Sequence, residues 1–291
     1  MILLITYPGD LSICKVQDLL IYNQVPYHRI CLEEVRLNDF ELNWPTEQHF
    51  LRNKGTLIEL QKISAVFYRG GKIPSLELTE KSLQSYSDLE HYSVNEFLFD
   101  YLRPFVINGS KFDSFSKLVH LKKAIEVGFN LLKTSLGANS IGLVKNIQEH
   151  IQLIDDNKIY IQHLRVGLGE ESSIPAVVQE YLEFDFEVRV VFCFGNYYAV
   201  GQSGAKQLNR TRWNHSLPTH IIRKLKSFMS AIGLNFAVVE FLVKDQVYYF
   251  LECNPQGQYN MVEHICEASI SIKITQKLIE YDRQYTHALE K

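Results

Sequence analysis

Two rhythms of apolar residues divide this chain into strands and helices before any single residue is weighed. "MILLITY" is a continuous apolar run, and "PYHRICLEE" and "ISAVFYRGG" are similar short runs of the length of buried strands. Between and after them, "SICKVQDLLIYNQV" and "SDLEHYSVNEFLFDYL" repeat apolar residues at helical spacing, and "FVINGS" closes the stretch as a short strand and glycine turn. Strand–helix–strand order predicts a small, mostly parallel α/β unit over residues 1–109.

A second unit is expected over residues 110–180. In "SKLVHLKKAIEVGF", Leu118, Leu121, Ala124, Ile125 and Val127 predict the apolar face of a helix that Gly128 ends. "LLKTSL" predicts a strand, "IGLVKNIQEHIQLI" a second helix, "KIYIQHLRVG" a returning strand and "AVVQEYLEF" an apolar strand leading onward. Residues 181–291 form a third unit richer in strands, namely "FEVRVVFCFG", "YYAVGQS", "FAVVEFLV" and "VYYFLECN". Among them "THIIRKLKSFMSAIG" predicts a helix with a solvated basic face over a stripe of Ile221, Ile222, Leu225, Phe228 and Met229; "SISIKITQKLIEYDRQ" closes the chain. The fold class is mixed, α/β followed by α+β.

Composition narrows the function classes. With 291 residues, 46% hydrophobic and 22% charged, there is material for a sizeable core shared by two or three units. A net charge of -3 argues against a general nucleic-acid binder. No apolar run approaches the ~18 residues that span a bilayer, and "MILLITYPGD" lacks the basic start and the length of a secretory signal. Cys14, Cys31, Cys193, Cys253 and Cys266 are scattered without CxxC spacing, so zinc and a disulfide framework are not expected and a cytoplasmic location is.

One stretch carries chemistry. "FAVVEFLVKDQVYYFLECNP" predicts a hairpin turning at residues 244–246, which brings Glu240 close to opposite Glu252. Asn254, two residues on, shares a face with Glu252 while Cys253 points away. Adjacent carboxylates repel, so one must hold a proton or a cation must lie between them. An all-oxygen set suits Mg²⁺ or Mn²⁺. A half-exposed hairpin whose solvent face carries Glu and Asn is the plain alternative, just as Glu187 and Arg189 alone would make an ordinary surface ion pair and Lys117 a helix cap.

Taken in order, these segments resemble a known family. Glu240 followed by "ECNPQGQ" resembles the metal-binding end of ATP-grasp ligases, and "FLECNPQGQYNMVEHIC" is similar to those that close side-chain ester or amide rings in ribosomally made peptides, the microviridin or graspetide type. The nearest likeness is to the grasp-with-spasm peptide maturases. "AVFYRGG", "SKLVHLKKAIEVGFNLLKTSL", "QEYLEFDFEVRV" and "IRKLKSFMSAIGLNFAVVEFLV" resemble the family's other landmarks, over nearly the whole chain. The resemblance implies an ATP-grasp fold: an N-terminal pre-ATP-grasp α/β domain (1–109), a central subdomain (110–180) and a C-terminal catalytic subdomain with the metal site (181–291).

The resemblance also implies roles. Glu240, Glu252 and Asn254 would hold Mg²⁺ against the phosphates of ATP; Glu180, Tyr181 and Leu182 would flank adenine; Glu187 would meet the ribose; Lys117 would bind phosphate. Arg189 and Arg212 would be catalytic, gripping phosphate and substrate carboxylate, and Arg69 would touch substrate. Gln162 stands where a second phosphate-binding Lys is usual, Ser116 where Asn precedes Lys117, and "NRTRWN" keeps Arg212 without the usual acid. The implied activity is ATP-dependent activation of Asp or Glu side chains in a precursor peptide, then ester or amide ring closure with Ser, Thr or Lys. A leader segment of the peptide and a homodimer are the implied partners. Another carboxylate–amine ligase of the same fold, or a degenerate peptide- or nucleotide-binding scaffold, stands as the alternative.

Overall fold

The first apolar runs become strands as expected: Ile2–Thr6 is wholly buried between Tyr27–Cys31 and Ala65–Tyr68, and both pairings are parallel. The computed structural model of the chain describes residues 1–76, 79–108, 117–136, 142–146, 154–155, 158–159, 165–166, 176–180, 182–203 and 211–289. Contacts group the chain into two units, one of Met1–Asp113, Gly233–Phe236 and Pro255–Lys291, the other of Ser114–Ile232 and Ala237–Asn254. Among the described residues no helix is long and apolar enough to cross a membrane.

In the first unit, helix Ser12–Tyr22 buries Ile13, Val16 and Leu20. The closing helix Ile270–Leu289 packs on that helix and on strands Ile2–Thr6 and Ala65–Tyr68. Its buried Ile270, Ile274 and Leu278 recur every four residues, the stripe that seats a helix on a core. A three-stranded antiparallel meander, Phe40–Asn43, Gln48–Asn53 and Thr56–Glu59, is an addition the apolar pattern did not announce. Its second turn places Lys54 and Gly55 at φ 48° and 83°, the left-handed pair that a two-residue hairpin needs.

The second unit is built on a six-stranded sheet in the order Arg212–Asn214, Asn196–Ser203, Phe186–Cys193, Phe236–Lys244, Val247–Asn254, Asn130–Leu131. Phe129, Phe228, Phe241 and Phe250 meet with ring centroids 5.2 to 6.0 Å apart and form its aromatic core. Helix Thr219–Ile232 buries Ile221, Leu225, Phe228, Met229 and Ile232, so the expected stripe is present with Ile222 at its margin. A smaller antiparallel sheet runs Arg165–Val166, Gly142–Asn146, Ala176–Gln179, Thr134–Leu136.

Two expectations are corrected here. Residues 142–146, read as part of a helix, form a strand paired with Ala176–Gln179; a short apolar run fits either state, and tertiary pairing decides. Helix Lys117–Glu126 keeps only part of its expected apolar face inward, with Ala124 buried and Leu121 and Val127 half-buried. Leu118 and Ile125 are exposed, whereas His120 and Ala124 are buried and Lys117 is half-buried. Gly128, at φ 82°, ends this helix as expected, and Phe129 bonds back to the Ala124 carbonyl. The helix turns two polar side chains inward.

Candidate functional site

The hairpin that carries the carboxylates is set by its turn. Asp245 and Gln246, at φ 49° and 63°, form a two-residue loop with Lys244 paired to Val247. Uninterrupted pairing from that turn would place Leu251 opposite Glu240. A bulge between Glu240 and Phe241 takes up one residue instead, so that Glu240 faces Glu252 and Val238 faces Asn254. The bulge re-aims one strand by one residue and brings both carboxylates to the same face.

Each carboxylate has its own cation. Arg189 donates from Nε at 2.9 Å and from Nη2 at 2.5 Å, both to Oε1 of Glu240. The Glu240 carboxylate, ahead of the opposing effect of burial, pushes the Arg189 pKa further up, so this guanidinium stays charged. Lys117 Nζ lies 3.7 Å from Glu252 Oε2, an ion pair longer than a hydrogen bond, with 13% and 5% of the two side chains exposed. Glu252 is thus a buried carboxylate beside a buried ammonium. Glu187 and Arg189 share the face by strand alternation, and Arg189 spends its short contacts on Glu240.

His120, one turn after Lys117, is hydrogen-bonded to the Cys253 backbone and packs on Phe228. Burial is the main reason its pKa falls from 6.5 to about 4; the Cys253 bond and Glu252 oppose the shift, and Lys117 adds to it. Burial also pushes the Cys253 thiol up, so it is an inert packing group. Between Lys117, His120, Gln179 and Glu252 lies a small hollow floored by Phe250 and Leu251. The buried Oε1 of Gln179 has no hydrogen-bond partner among the described residues.

The remaining expected residues fall as follows. Glu180 bonds the Lys133 backbone twice, through its N–H to the carbonyl at 2.9 Å and through Oε1 from the N–H at 3.1 Å. Of its own backbone polar groups, the carbonyl is therefore the one left to meet a ligand. Leu182 packs on the cluster of Leu132, Leu242 and Leu251 and supplies an apolar wall. Tyr181 and Gln162 lie outside the described residues. Arg212 is exposed on the edge strand, with Nε donating to Gln202 Oε1 at 2.7 Å.

Arg69 belongs to the first unit and is sealed there. Its Nε is 3.2 Å from Asp10 Oδ2, its Nη1 donates to the Gly257 carbonyl at 2.9 Å, and both charged side chains are 0% exposed. The guanidinium carbon stands 5.8 and 5.6 Å from the rings of Phe67 and Tyr259. Such a group braces a strand end in a protein interior.

Solved structures of peptide-modifying ligases have a similar fold. The macrocyclase MdnC from Microcystis aeruginosa MRC, bound with its precursor peptide MdnA, superposes with a TM-score of 0.77 at 19% identity over 96% of this chain and 100% of that one. A RiPP-associated ligase from Chryseobacterium gregarium, in complex with ADP and a leader and core peptide, gives 0.74 at 18% identity, covering 96% of each chain. The ligase PsnB, complexed with minimal precursor, Mg and ADP, gives 0.69 at 14% identity and 97% of each. The fold is ATP-grasp. No family model matches the chain, and no curated protein matches it by sequence.

The ATP-grasp likeness meets the resemblance read from the sequence, and the donor set can be tested against the cation it implies. Two carboxylates in register and an amide two residues on make an oxygen-only set, which fits a hard divalent cation. Both Arg189 bonds end on Oε1 of Glu240, so the guanidinium does not consume Oε2. Among the described residues no three His, Cys, Asp or Glu side chains gather as a metal cluster, and Asn254 is what completes the candidate. Sequence reasoning missed His120, Gln179 and Gln202. For Gln202 the signal was present: "CFGNYY" turns on Phe194 and Gly195, at φ 47° and 82°, and that tight turn sets Gln202 opposite Glu187.

Proposed function

We infer that the chain is an ATP-dependent ligase that activates side-chain carboxylates of a precursor peptide and closes ester or amide rings with Ser, Thr or Lys. The observation that carries this reading is a row of charge on one sheet face, Arg212, Glu187, Arg189, Glu240 and Glu252, in which the paired carboxylates Glu240 and Glu252 are flanked by Arg189 and Lys117. A carboxylate oxygen of the peptide attacks the γ-phosphorus of ATP, the bond to ADP breaks, and an acyl phosphate forms. The hydroxyl or amine then attacks the carbonyl carbon, phosphate leaves and the nucleophile gives up its proton. This chain's part is to hold both partners in line, to offset the growing negative charge and to keep water from the acyl phosphate.

In this reading Glu240, Glu252 and Asn254 hold Mg²⁺, or Mn²⁺, whose positive charge lowers the repulsion between phosphates and nucleophile. Arg189 directs Glu240 through its two bonds, and Lys117 stands beside Glu252 while offering its charge to a phosphate. The Glu180 carbonyl, Tyr181 and the Leu182 side chain bound adenine, Glu187 meets the ribose, and Arg212 grips the peptide carboxylate. Residues 1–109, 110–180 and 181–291 serve as pre-ATP-grasp, central and catalytic segments.

Arg69, shielded and paired, serves the fold that presents the site. A leader segment anchors the peptide and raises its effective concentration. Helix Lys81–Leu102 exposes Leu83, Tyr86, Leu89 and Tyr92, which supports a homodimer packed through it. Five cysteines scattered without CxxC spacing support a reducing cytoplasm.

Calorimetric titration of the wild-type chain and of Glu252→Gln with ATP, with and without Mg²⁺, tests the site. Mg²⁺-dependent binding that Glu252→Gln loses supports it; binding indifferent to both overturns the metal assignment.

A further inference from the structure

Gln202 sits between two residues assigned to different reactants, and no role has been given to it. Its strand pairs Glu187 with Gln202 on one side and Gln202 with Arg212 on the other, so the three side chains stand abreast on one face. Arg212 Nε donates to Gln202 Oε1 at 2.7 Å, and Gln202 Nε2 donates to Glu187 Oε2 at 3.3 Å. A guanidinium can only donate and a carboxylate can only accept, so the two neighbours fix which end of the amide faces which. A carboxylate at 202 would repel Glu187, an ammonium would repel Arg212, and an apolar side chain would serve neither.

The opposite face holds this register in place. Gly201 is paired with Trp213, and the indole lies so close over it that a Cβ there would overlap the ring. Phe186 meets the same indole edge-on, with centroids 5.5 Å apart. The edge strand is therefore clamped where Arg212 reaches Gln202. Among the described residues Arg212 bonds through Nε, a geometry that turns its two terminal nitrogens to a planar anion.

We propose that Gln202 is a positioning residue that couples Glu187, on the nucleotide side, to Arg212, on the carboxylate side, so that binding of one reactant orders the group that receives the other. This rests on the ligase reading above. Gln202 touches neither reactant and acts through its two neighbours.

The test uses the full chain, with Mg·ATP as the probe, in calorimetric titrations backed by thermal melts. Gln202→Leu weakens Mg·ATP binding about 10-fold or more, the range of one hydrogen bond to a charged group, and leaves the melting temperature within about 2 °C, as a half-exposed polar change should. In an Arg212→Ala background the same substitution changes affinity less than about 3-fold, because the coupling is already broken. Gln202→Glu supplies the readout that a purely structural role would not move. Its carboxylate faces Glu187 and Arg212, with Arg189 two residues along, and it binds weakly near pH 8. It binds as weakly near pH 6, because a half-exposed carboxylate beside a guanidinium stays ionised there.

Affinity unchanged in Gln202→Leu, additivity with Arg212→Ala, or wild-type affinity in Gln202→Glu overturns the proposal. Failure of the ligase reading looks different. If wild type binds Mg·ATP but modifies no peptide, the binding cycle still decides Gln202; if wild type binds no Mg·ATP, both ideas fall.

Discussion

Replacing Arg69 by Met separates a brace from a substrate contact. Asp10 and Arg69 are both 0% exposed, and Asp10 also accepts from Thr6 Oγ1 at 2.9 Å and from the Ser12 N–H at 2.9 Å. Met preserves apolar bulk but removes the countercharge of Asp10 and the donor to the Gly257 carbonyl. Breaking a buried pair by removing one partner costs about 3–5 kcal/mol, because the remaining charge stays desolvated. At about 2–4 °C per kcal/mol for a chain of this size, the melting temperature should fall by roughly 10 °C. Removing both charges in Asp10→Asn/Arg69→Met should restore most of that loss, since no uncompensated ion is left. Scanning calorimetry on the two variants and the wild type reads this directly. A loss under about 1 kcal/mol in Arg69→Met, or a double variant no better than the single, refutes the reasoning.

His120 gives a pH signature. With a folded pKa of about 4 against 6.5 unfolded, the unfolded chain binds more protons between those values. Its contribution is therefore complete above pH 6.5 and is lost as the pH falls toward 4, about 3 kcal/mol in all. Urea melts of wild type and His120→Gln across this window should show a difference that shrinks as the pH drops; a constant difference contradicts the assignment. Gly201→Ala forces a methyl against the Trp213 indole and should destabilise by about 1–3 kcal/mol, with loss of Trp213 fluorescence anisotropy. Arg189→Met leaves Glu240 without its guanidinium and should weaken Mg·ATP binding at least about 10-fold, measured by calorimetry. Gln162→Lys should tighten Mg·ATP binding by adding a cation where the resemblance expects one.

What the sequence disclosed, and what it hid, follows from the range of the interactions involved. The convergence of Glu240 and Glu252 was legible because a tight turn and strand alternation are local rules, although the bulge that makes them meet was not. The inward side of helix Lys117–Glu126 was legible only in part, through Ala124 and Leu121. Its most apolar residues, Leu118 and Ile125, face outward, and Lys117 and His120 turn in because a carboxylate and a strand backbone are there to receive them. Local hydropathy cannot foresee a polar partner contributed 130 residues later. The meander of Phe40–Asn43, Gln48–Asn53 and Thr56–Glu59 was missed for a related reason: its strands mix polar and apolar residues, and cross-strand pairing defines them. The closing helix showed its stripe clearly, but its place beside the first strand depends on contacts that span almost the whole chain. Gln202 was readable from the "CFGNYY" turn and was passed over because an amide on a strand carries no signal without its neighbours.

The most direct measurement is the mass of a candidate precursor peptide, rich in Asp or Glu and in Ser, Thr or Lys, after incubation with this chain, ATP and Mg²⁺. Ligation within the peptide predicts ATP-dependent loss of one water per ring, abolished in Glu252→Gln. A gain in mass matching an added amino acid, or dehydration that survives Glu252→Gln, contradicts the account.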